Sequence, residues 1–286
     1  MMIETQLLGG TAVAATVKEE VAERVAALSG RGKSVGLATV LVGEDPASEV
    51  YVRNKRRTAE KLGIASIHHQ LAADTPQSEV DDLIVRLNQD PAVDGILVQL
   101  PLPAGLDGER AVNLIDPAKD ADGLHPTNLG KLILGQPGLT PCTPTGVMRI
   151  LDHYGIGVSG KHAIVIGRSF LVGRPLAMLF NQKGTDATVT MAHSRTPDLA
   201  ALARTADIVV AAVGVARLVG PDFVKPGATV IDVGINRTDD GLVGDADFDA
   251  LQGIAGAITP VPKGVGPMTV AMLMHNTVRA AEAAIT

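Results

Sequence analysis

The sequence predicts an α/β fold of two domains, and three observations carry that expectation. Strand-like and helix-like patterns alternate through the first hundred residues, a second series of short apolar strands follows a Pro- and Gly-rich crossing, and large aromatics are almost missing. With no Trp, two Tyr and four Phe, the core has to be built from Val, Ile, Leu and Ala, which suits buried parallel strands covered by helices. A length of 286 residues accommodates two domains of ordinary size. The 46% hydrophobic and 20% charged content leaves no case for disorder or a fibrous chain.

In chain order, Val13, Val17, Val21, Val25 and Leu28 recur at steps of four and three with charged residues between them, so residues 11–28 form an amphipathic helix. An apolar run from Val35 to Val42 ends at Gly43 and reads as a strand. It is followed by a helix from Ala47 to Leu62 that stops at Gly63. The pattern repeats as a strand from Ile64 to Leu71, a helix from Gln77 to Asn88 and a strand from Val93 to Leu100. The stretch Gly135–Gly146, with Pro137, Pro141 and Pro144, reads as the crossing between domains. Beyond it lie strands His162–Ile166, Thr188–Ala192, Asp207–Val213 and Thr229–Val233, with helices after the first two reaching Gln182 and Thr205. This second series is Rossmann-like. A last helix, Met268–Ile285, packs back on the first domain. The expected division is residues 1–140 plus 267–286 for one domain and 141–266 for the other, with no internal repeat.

A net charge of -6 argues against a nucleic-acid surface or an anionic membrane surface. The start of the chain, with Glu4 and Gln6, lacks the pattern of a signal peptide, and no run approaches the roughly 20 apolar residues of a membrane span. The chain is therefore expected in the cytoplasm. The lone Cys142 cannot form an intrachain disulfide and reads as a small buried residue, and no Cys or His cluster has metal-ligand spacing.

The segment GRSFLVGRP follows the strand ending at Ile166, with Gly167 and Gly173 bracketing a loop that enters a helix. Glycines let backbone approach a pyrophosphate, and the helix start stabilises its charge. The spacing departs from GxGxxG, so a plain strand-to-helix turn is an equal reading of the glycines alone. At the end of the next strand, a NAD-selective unit carries an acid for the ribose hydroxyls. Here the chain has His193, Ser194 and Arg195, and Arg168 adds a second guanidinium from the loop. Two cations and a hydroxyl suit a ribose phosphate, which points to NADP, although solvated loop arginines would look the same.

In YVRNKRRTAEKLG, a spacing of four places Tyr51 and Lys55 on one helix face. Arg53, Arg56, Arg57 and Lys61 crowd the same helix, so a solvated basic face is the bland reading of any one of them. A Tyr-x-x-x-Lys pair also invites comparison with short-chain dehydrogenases, but there it follows the nucleotide loop, whereas here it precedes that loop by more than a hundred residues. Gln99 stands at the end of the strand in VDGILVQLPLP, where ligands border open sheets, or where an amide simply satisfies loop backbone. Asp120 and Asp122 in KDADGLHPTNLGKL read as site acids or as turn caps.

These stretches, with PCTPTGV, VIGRSFLVGRP, ATVTMAHSRT, ADIVVAAVG, VIDVGIN and PVPKGVGPMTVAML, resemble the bifunctional methylenetetrahydrofolate dehydrogenase and methenyltetrahydrofolate cyclohydrolase family over essentially the whole length. The resemblance implies an N-terminal folate and catalytic domain and a Rossmann-like NADP-binding domain. It implies that cyclohydrolase chemistry depends on Lys55, that Tyr51 packs on the folate, that Gln99 lies beside the lysine and that Asp122 binds the pterin. Gly167, Arg168, Ser169, Gly173, Ser194, Arg195, Val213, Gly214 and Ile235 are the implied cofactor contacts, and Pro262, Gly264 and Val265 join the folate site. It further implies tetrahydrofolate substrates, a homodimer formed through the nucleotide domain, and a role in one-carbon metabolism and purine biosynthesis. The family's usual Pro-Gly-Gly-Val reads Pro262, Lys263, Gly264, Val265 here; the extra side chain either narrows the folate entrance or reaches the substrate's glutamate tail. Two rivals stand beside this reading: another two-domain Rossmann dehydrogenase of shikimate or amino-acid type, and a folate-binding protein without catalysis.

Overall fold

The computed structural model describes residues 3–239 and 241–285. The elements are β1 (Gln6–Leu7), α1 (Gly10–Gly30), β2 (Gly36–Val42), α2 (Pro46–Lys61), β3 (Ala65–Leu71), α3 (Gln77–Gln89), β4 (Gly95–Val98), α4 (Gly108–Leu114), α5 (Pro126–Ile133) and α6 (Cys142–His153). They continue with β5 (His162–Ile166), α7 (Gly173–Asn181), β6 (Thr188–Ala192), α8 (Leu199–Ala203), β7 (Ile208–Ala211), β8 (Thr229–Asp232), the pair β9 (Asn236–Thr238) and β10 (Gly241–Val243), β11 (Ala257–Ile258) and α9 (Gly266–Ala283). Two compact units divide them. One holds residues 16–131, 137–142 and the chain from Val270; the other holds the stretch up to Ala15, residues 132–136 and 143–269.

The first unit is organised on a three-stranded parallel sheet in the order β3-β2-β4. All seven residues of β2 are buried, as expected of a central strand with both faces covered. Its packed cluster joins Ala38, Val40 and Val42 to Val80, Ile84 and Leu87 of α3 and to Ile96 and Val98 of β4, without one aromatic among its buried members. α2 begins where local chemistry says a helix should. Asp45 accepts from the Ser48 N-H at 2.8 Å, Pro46 occupies the first turn, and Lys61 stands in the last. α9 returns to this unit. Arg24 of α1 makes a two-pronged ion pair with Glu282 at 2.9 and 2.7 Å, and Asn276 reaches Ala121 and Thr140 main-chain oxygens at 3.0 and 2.8 Å.

The second unit carries a six-stranded parallel sheet ordered β1-β11-β8-β7-β5-β6. From β5 the chain moves to β6 on one side and then to β7 on the other, so the topological switch lies at the C-terminal end of β5. The sheet's buried cluster runs from Ile164 and Ile166 through Val209, Val230 and Ile258. β1 and β11, two residues each, pair across about 250 positions, and nothing in their local pattern announces it. Two expectations shorten and one changes. The strands expected to reach Leu100 and Val213 end at Val98 and Ala211: the Gln99 and Ala212 N-H groups still donate to the neighbouring Val40 and Ile166 carbonyls at 2.9 Å, but the Val213 N-H turns away to the Asp245 carboxyl. The stretch Gly135–Gly146 contains the start of α6, since prolines in a helix's first turn remove donors that have no partner there anyway. Among the described residues, no helix is long and apolar enough to cross a membrane.

Candidate active site

α2 presents several cations, and burial singles out one. Lys55 is 6% exposed, whereas Arg53, Arg57 and Lys61 lie in solvent. The Lys55 ammonium donates to Gln99 Oε1 at 3.0 Å, and Gln99 Nε2 donates to the Leu100 carbonyl at 2.8 Å. The amide is therefore held at both ends, just past β4. Burying an ammonium costs several kcal/mol unless neighbours compensate, so a lysine in this position has to be explained. Asp122 is the charged neighbour. Burial raises its carboxyl above the usual range, the Lys55 charge pulls it down, and Asp120 pushes it up again. One turn before Lys55, Tyr51 leaves 42% of its surface open. The pair thus offers an exposed ring next to a buried ammonium on one helix.

The two acids of KDADG separate in the structure. Asp120 is consumed by its own loop. It accepts from the Gly123 N-H at 3.1 Å, and from the His125 N-H and Asn128 Nδ2 at 2.8 Å each. Asp122 is left to interact with Lys55 and with the thiol of Cys142, whose own ionisation is pushed well up by burial and by Asp122. One contributor was absent from the sequence reading. Asn276, 1% exposed on α9, ties the main chain at Ala121 and Thr140 and stands 3.6 Å from Cys142 Sγ. The available signal was a poor helix former at an interior position of an apolar helix.

In the other unit, the predicted nucleotide residues follow the C-terminal ends of β5, β7 and β8 and of the edge strand β6. Gly167 has φ +123°, and a Cβ there would overlap the Ala212 carbonyl. A Cβ on Gly173 would overlap the Gly167 carbonyl, so only glycine allows the close strand-to-helix return. Ser169 Oγ accepts from the Val172 and Gly173 N-H groups at 3.2 and 3.4 Å, long bonds that the oxygens of an anion can replace. This loop is shaped to admit a pyrophosphate, and a dinucleotide fits the residues present. Ile166 and Ala192 are partners in register, so Arg168 and Arg195 leave neighbouring strand ends, and both are exposed along with Ser194. Val213 and Gly214 follow β7, and Ile235 lies 46% exposed after β8. Pro262, Gly264 and Val265 belong to this unit beyond β11. Val265 is buried, and Lys263 between them adopts φ +81°.

Behind those strand ends lies a pair of acids that sequence reading missed. Asp232 is 3% and Asp245 0% exposed. Burial pushes Asp232 up to about 7, against the pull of main-chain donors at Ala246, Asp245 and Gly234. The signal available was an acid closing an apolar strand before glycine, in VIDVG, and a second in VGDAD.

The fold and these two sites define a dehydrogenase-like α/β protein with a dinucleotide-binding unit and a separate unit bearing a buried catalytic-type lysine. The tetrahydrofolate dehydrogenase/cyclohydrolase catalytic domain matches residues 8–122, and the NAD(P)-binding domain of the same family matches residues 141–285. The chain belongs to this family. It is 58% identical over 279 residues to the bifunctional protein FolD of Acidiphilium cryptum, covering 97% of this chain and 98% of that one. The bifunctional FolD structure from Campylobacter jejuni is similar at 45% identity and a TM-score of 0.95, covering 98% and 99% of the two chains. The Trypanosoma brucei methylenetetrahydrofolate dehydrogenase-cyclohydrolase complexed with NADP cofactor and inhibitor is similar at 40% identity and a TM-score of 0.93, covering 99% of each.

Proposed function

We propose that this chain oxidises 5,10-methylenetetrahydrofolate to the 5,10-methenyl cation with NADP, and then adds water to that cation to give 10-formyltetrahydrofolate and a proton. The observation that carries the reading is the buried Lys55 ammonium held 3.0 Å from Gln99 Oε1 with Asp122 as its charged neighbour. Bound NADP supplies the acceptor for the hydride that leaves the methylene carbon. For that step the protein's contribution is alignment, because the folate nitrogens stabilise the developing cation themselves. The hydrolytic step needs proton transfer, and Lys55, buried and hydrogen-bonded, is positioned to exchange protons with the attacking water or the opening ring. Gln99 fixes the direction of the Lys55 Nζ. A partly buried Asp122 suits the pterin's amidine-like donors, and the open Tyr51 ring gives the bicycle a stacking surface.

Residues 1–140 with 267–286 are assigned as the folate and catalytic domain, and 141–266 as the NADP domain, supported by where Lys55 and Gly167 fall in the two units; the compact units differ from this division in residues 3–15, 132–136 and 267–269, which cluster with Gly167, and in residues 141–142, which cluster with Lys55. Arg168, Ser194 and Arg195 read the ribose phosphate; Gly167, Ser169 and Gly173 cradle the pyrophosphate; Val213, Gly214 and Ile235 border the nicotinamide side. Pro262, Gly264 and Val265 complete the folate contacts. The family resemblance supports a cytoplasmic homodimer that serves one-carbon supply for purine biosynthesis.

A single assay tests the reading. The absorbance of methenyl-folate is followed with the purified chain, first from methylenetetrahydrofolate with NADP, then from methenyl-folate alone. The expected result is NADP-dependent appearance in the first case and accelerated decay in the second. A chain that binds folate and does neither would overturn the reading.

A further inference from the structure

Between the strand ends and the interior of the nucleotide unit, two buried acids lock three loops together. Asp245 Oδ2 accepts from the N-H groups of Val213, at 2.6 Å, and Gly214, at 2.9 Å, while its Oδ1 accepts from Asn236 Nδ2 at 2.9 Å. Asp232 closes β8 in register with Ala211, at the end of β7. Its Oδ1 accepts from the N-H groups of Gly234 at 3.1 Å and Asp245 at 2.9 Å, and its Oδ2 accepts from the Ala246 N-H at 2.9 Å. Main-chain bonds run alongside. The Arg217 N-H donates to Gly244 O at 3.0 Å, the Val219 N-H to Asp245 O at 2.9 Å, and the Asp247 N-H to Val219 O at 3.0 Å.

The steric fit is reciprocal. A Cβ on Gly234 would overlap the Asp245 carboxyl, and one on Gly244 would overlap that of Asp232. Each acid therefore occupies the space that a glycine of the opposite loop leaves. Both acids are almost fully buried and spend their oxygens on main-chain and amide donors, so neither is available to touch a ligand.

Resting on the functional reading above, we infer that Asp245 is a positioning residue for the dinucleotide: it aims the Val213–Gly214 segment and the segment after β8 by holding their donors from behind. Two N-H groups that converge on one carboxyl oxygen cannot turn toward solvent, so the outer surface of the loop is set before any ligand arrives. Pre-set loops spare the ordering cost that a ligand would otherwise meet on binding. An amide oxygen in its place could still face both donors, but without the carboxylate's charge, which makes such hydrogen bonds roughly twice as strong.

The test compares Asp245→Asn, Asn236→Ala and Val209→Ala. Asn236→Ala releases Oδ1 of Asp245 and a long 3.5 Å bond to the Val243 carbonyl but leaves both bonds to Oδ2 in place, and Val209→Ala lowers the stability of the same unit from inside its apolar core. NADP affinity is measured by calorimetry, exchange protection of the Val213 and Gly214 amides by mass spectrometry, stability by thermal melting, and cyclohydrolase turnover without NADP. Asp245→Asn is expected to weaken NADP binding and raise the dehydrogenase KM for NADP about tenfold, the scale of a lost hydrogen bond to a charged group, and to open both amides to exchange. Asn236→Ala is expected to give a smaller loss in the same direction, and Val209→Ala a lower melting point with unchanged affinity. Cyclohydrolase turnover stays at the wild-type rate in all three. Unchanged NADP affinity in both Asp245→Asn and Asn236→Ala, or an equal loss in Val209→Ala, would overturn the inference while leaving the functional reading intact. A wild-type chain that does not bind NADP would overturn the functional reading itself.

Discussion

The two units build their sites from different materials. In the unit with Lys55, chemistry is concentrated in side chains on regular elements: a lysine in the interior of a helix, a glutamine just past a strand, an aspartate in a loop that a second acid holds in shape. In the unit with Gly167, the site is made largely of backbone, and its recognisable features are glycines and peptide N-H groups at strand ends. The side chains there, Arg168, Ser194 and Arg195, are exposed, while the acids that shape the loops are hidden. A side-chain site concentrates function in single atoms, so it should fail abruptly. A backbone site distributes function over many weak donors, so it should fail by degrees.

The sharpest way to break this contrast is Lys55→Met. The loss of a positioned proton-transfer group is expected to reduce cyclohydrolase turnover by about 10²–10⁴-fold, with calorimetric NADP binding unchanged. Retained hydrolysis would show that Lys55 is not the group on which that step depends. The nucleotide unit should respond more mildly. Arg195→Ala or Arg168→Ala is expected to lower kcat/KM for NADP by about 10–100-fold, the scale of a lost charge-assisted hydrogen bond, with the value for NAD unaffected. If wild-type constants for NADP and NAD are equal, the arginines do not read a phosphate. The smallest effect concerns Lys263. A non-glycine residue at φ +81° carries a local conformational cost, and its carbonyl is engaged by the Gly10 N-H at 2.9 Å, which keeps the backbone there. Lys263→Gly should stabilise the chain slightly, by up to about 1 kcal/mol, read as a small rise in melting temperature. A large fall in substrate affinity in the same variant would show that the side chain contributes to folate binding.

That lysine illustrates how far local reading extends. Its departure from the family's glycine was visible in the sequence, but the reason glycine suits the position is a backbone angle, and that angle is imposed by the neighbouring chain. The same division appears on α2. Spacing puts Tyr51 and Lys55 on one face and the resemblance singles out that lysine, yet nothing local to the five basic residues of the helix says which is buried; the fold buries Lys55, at 6% exposure. Likewise the loop pattern alone reads Asp120 and Asp122 alike, and the resemblance singles out Asp122; the three donors converging on Asp120 supply the physical reason, since they make it the loop's organiser and leave the other acid near Lys55.

What the sequence by itself determined is whatever depends on neighbours along the chain. Strand and helix periods, the glycine pair around residues 167–173, the cap at Asp45 and the alternation that makes both sheets parallel are written in windows of a few residues. The family resemblance adds roles to those positions. The tertiary structure decided whatever depends on residues distant in sequence. It paired β1 with β11 across about 250 positions, chose the buried cation, brought Asn276 to the loop beside Asp122, and set Asp245 behind Val213 and Gly214. The physical reason is common to all four. Burial and the saturation of polar groups are properties of packed surroundings, and a side chain's surroundings are assembled from segments that its own sequence does not specify.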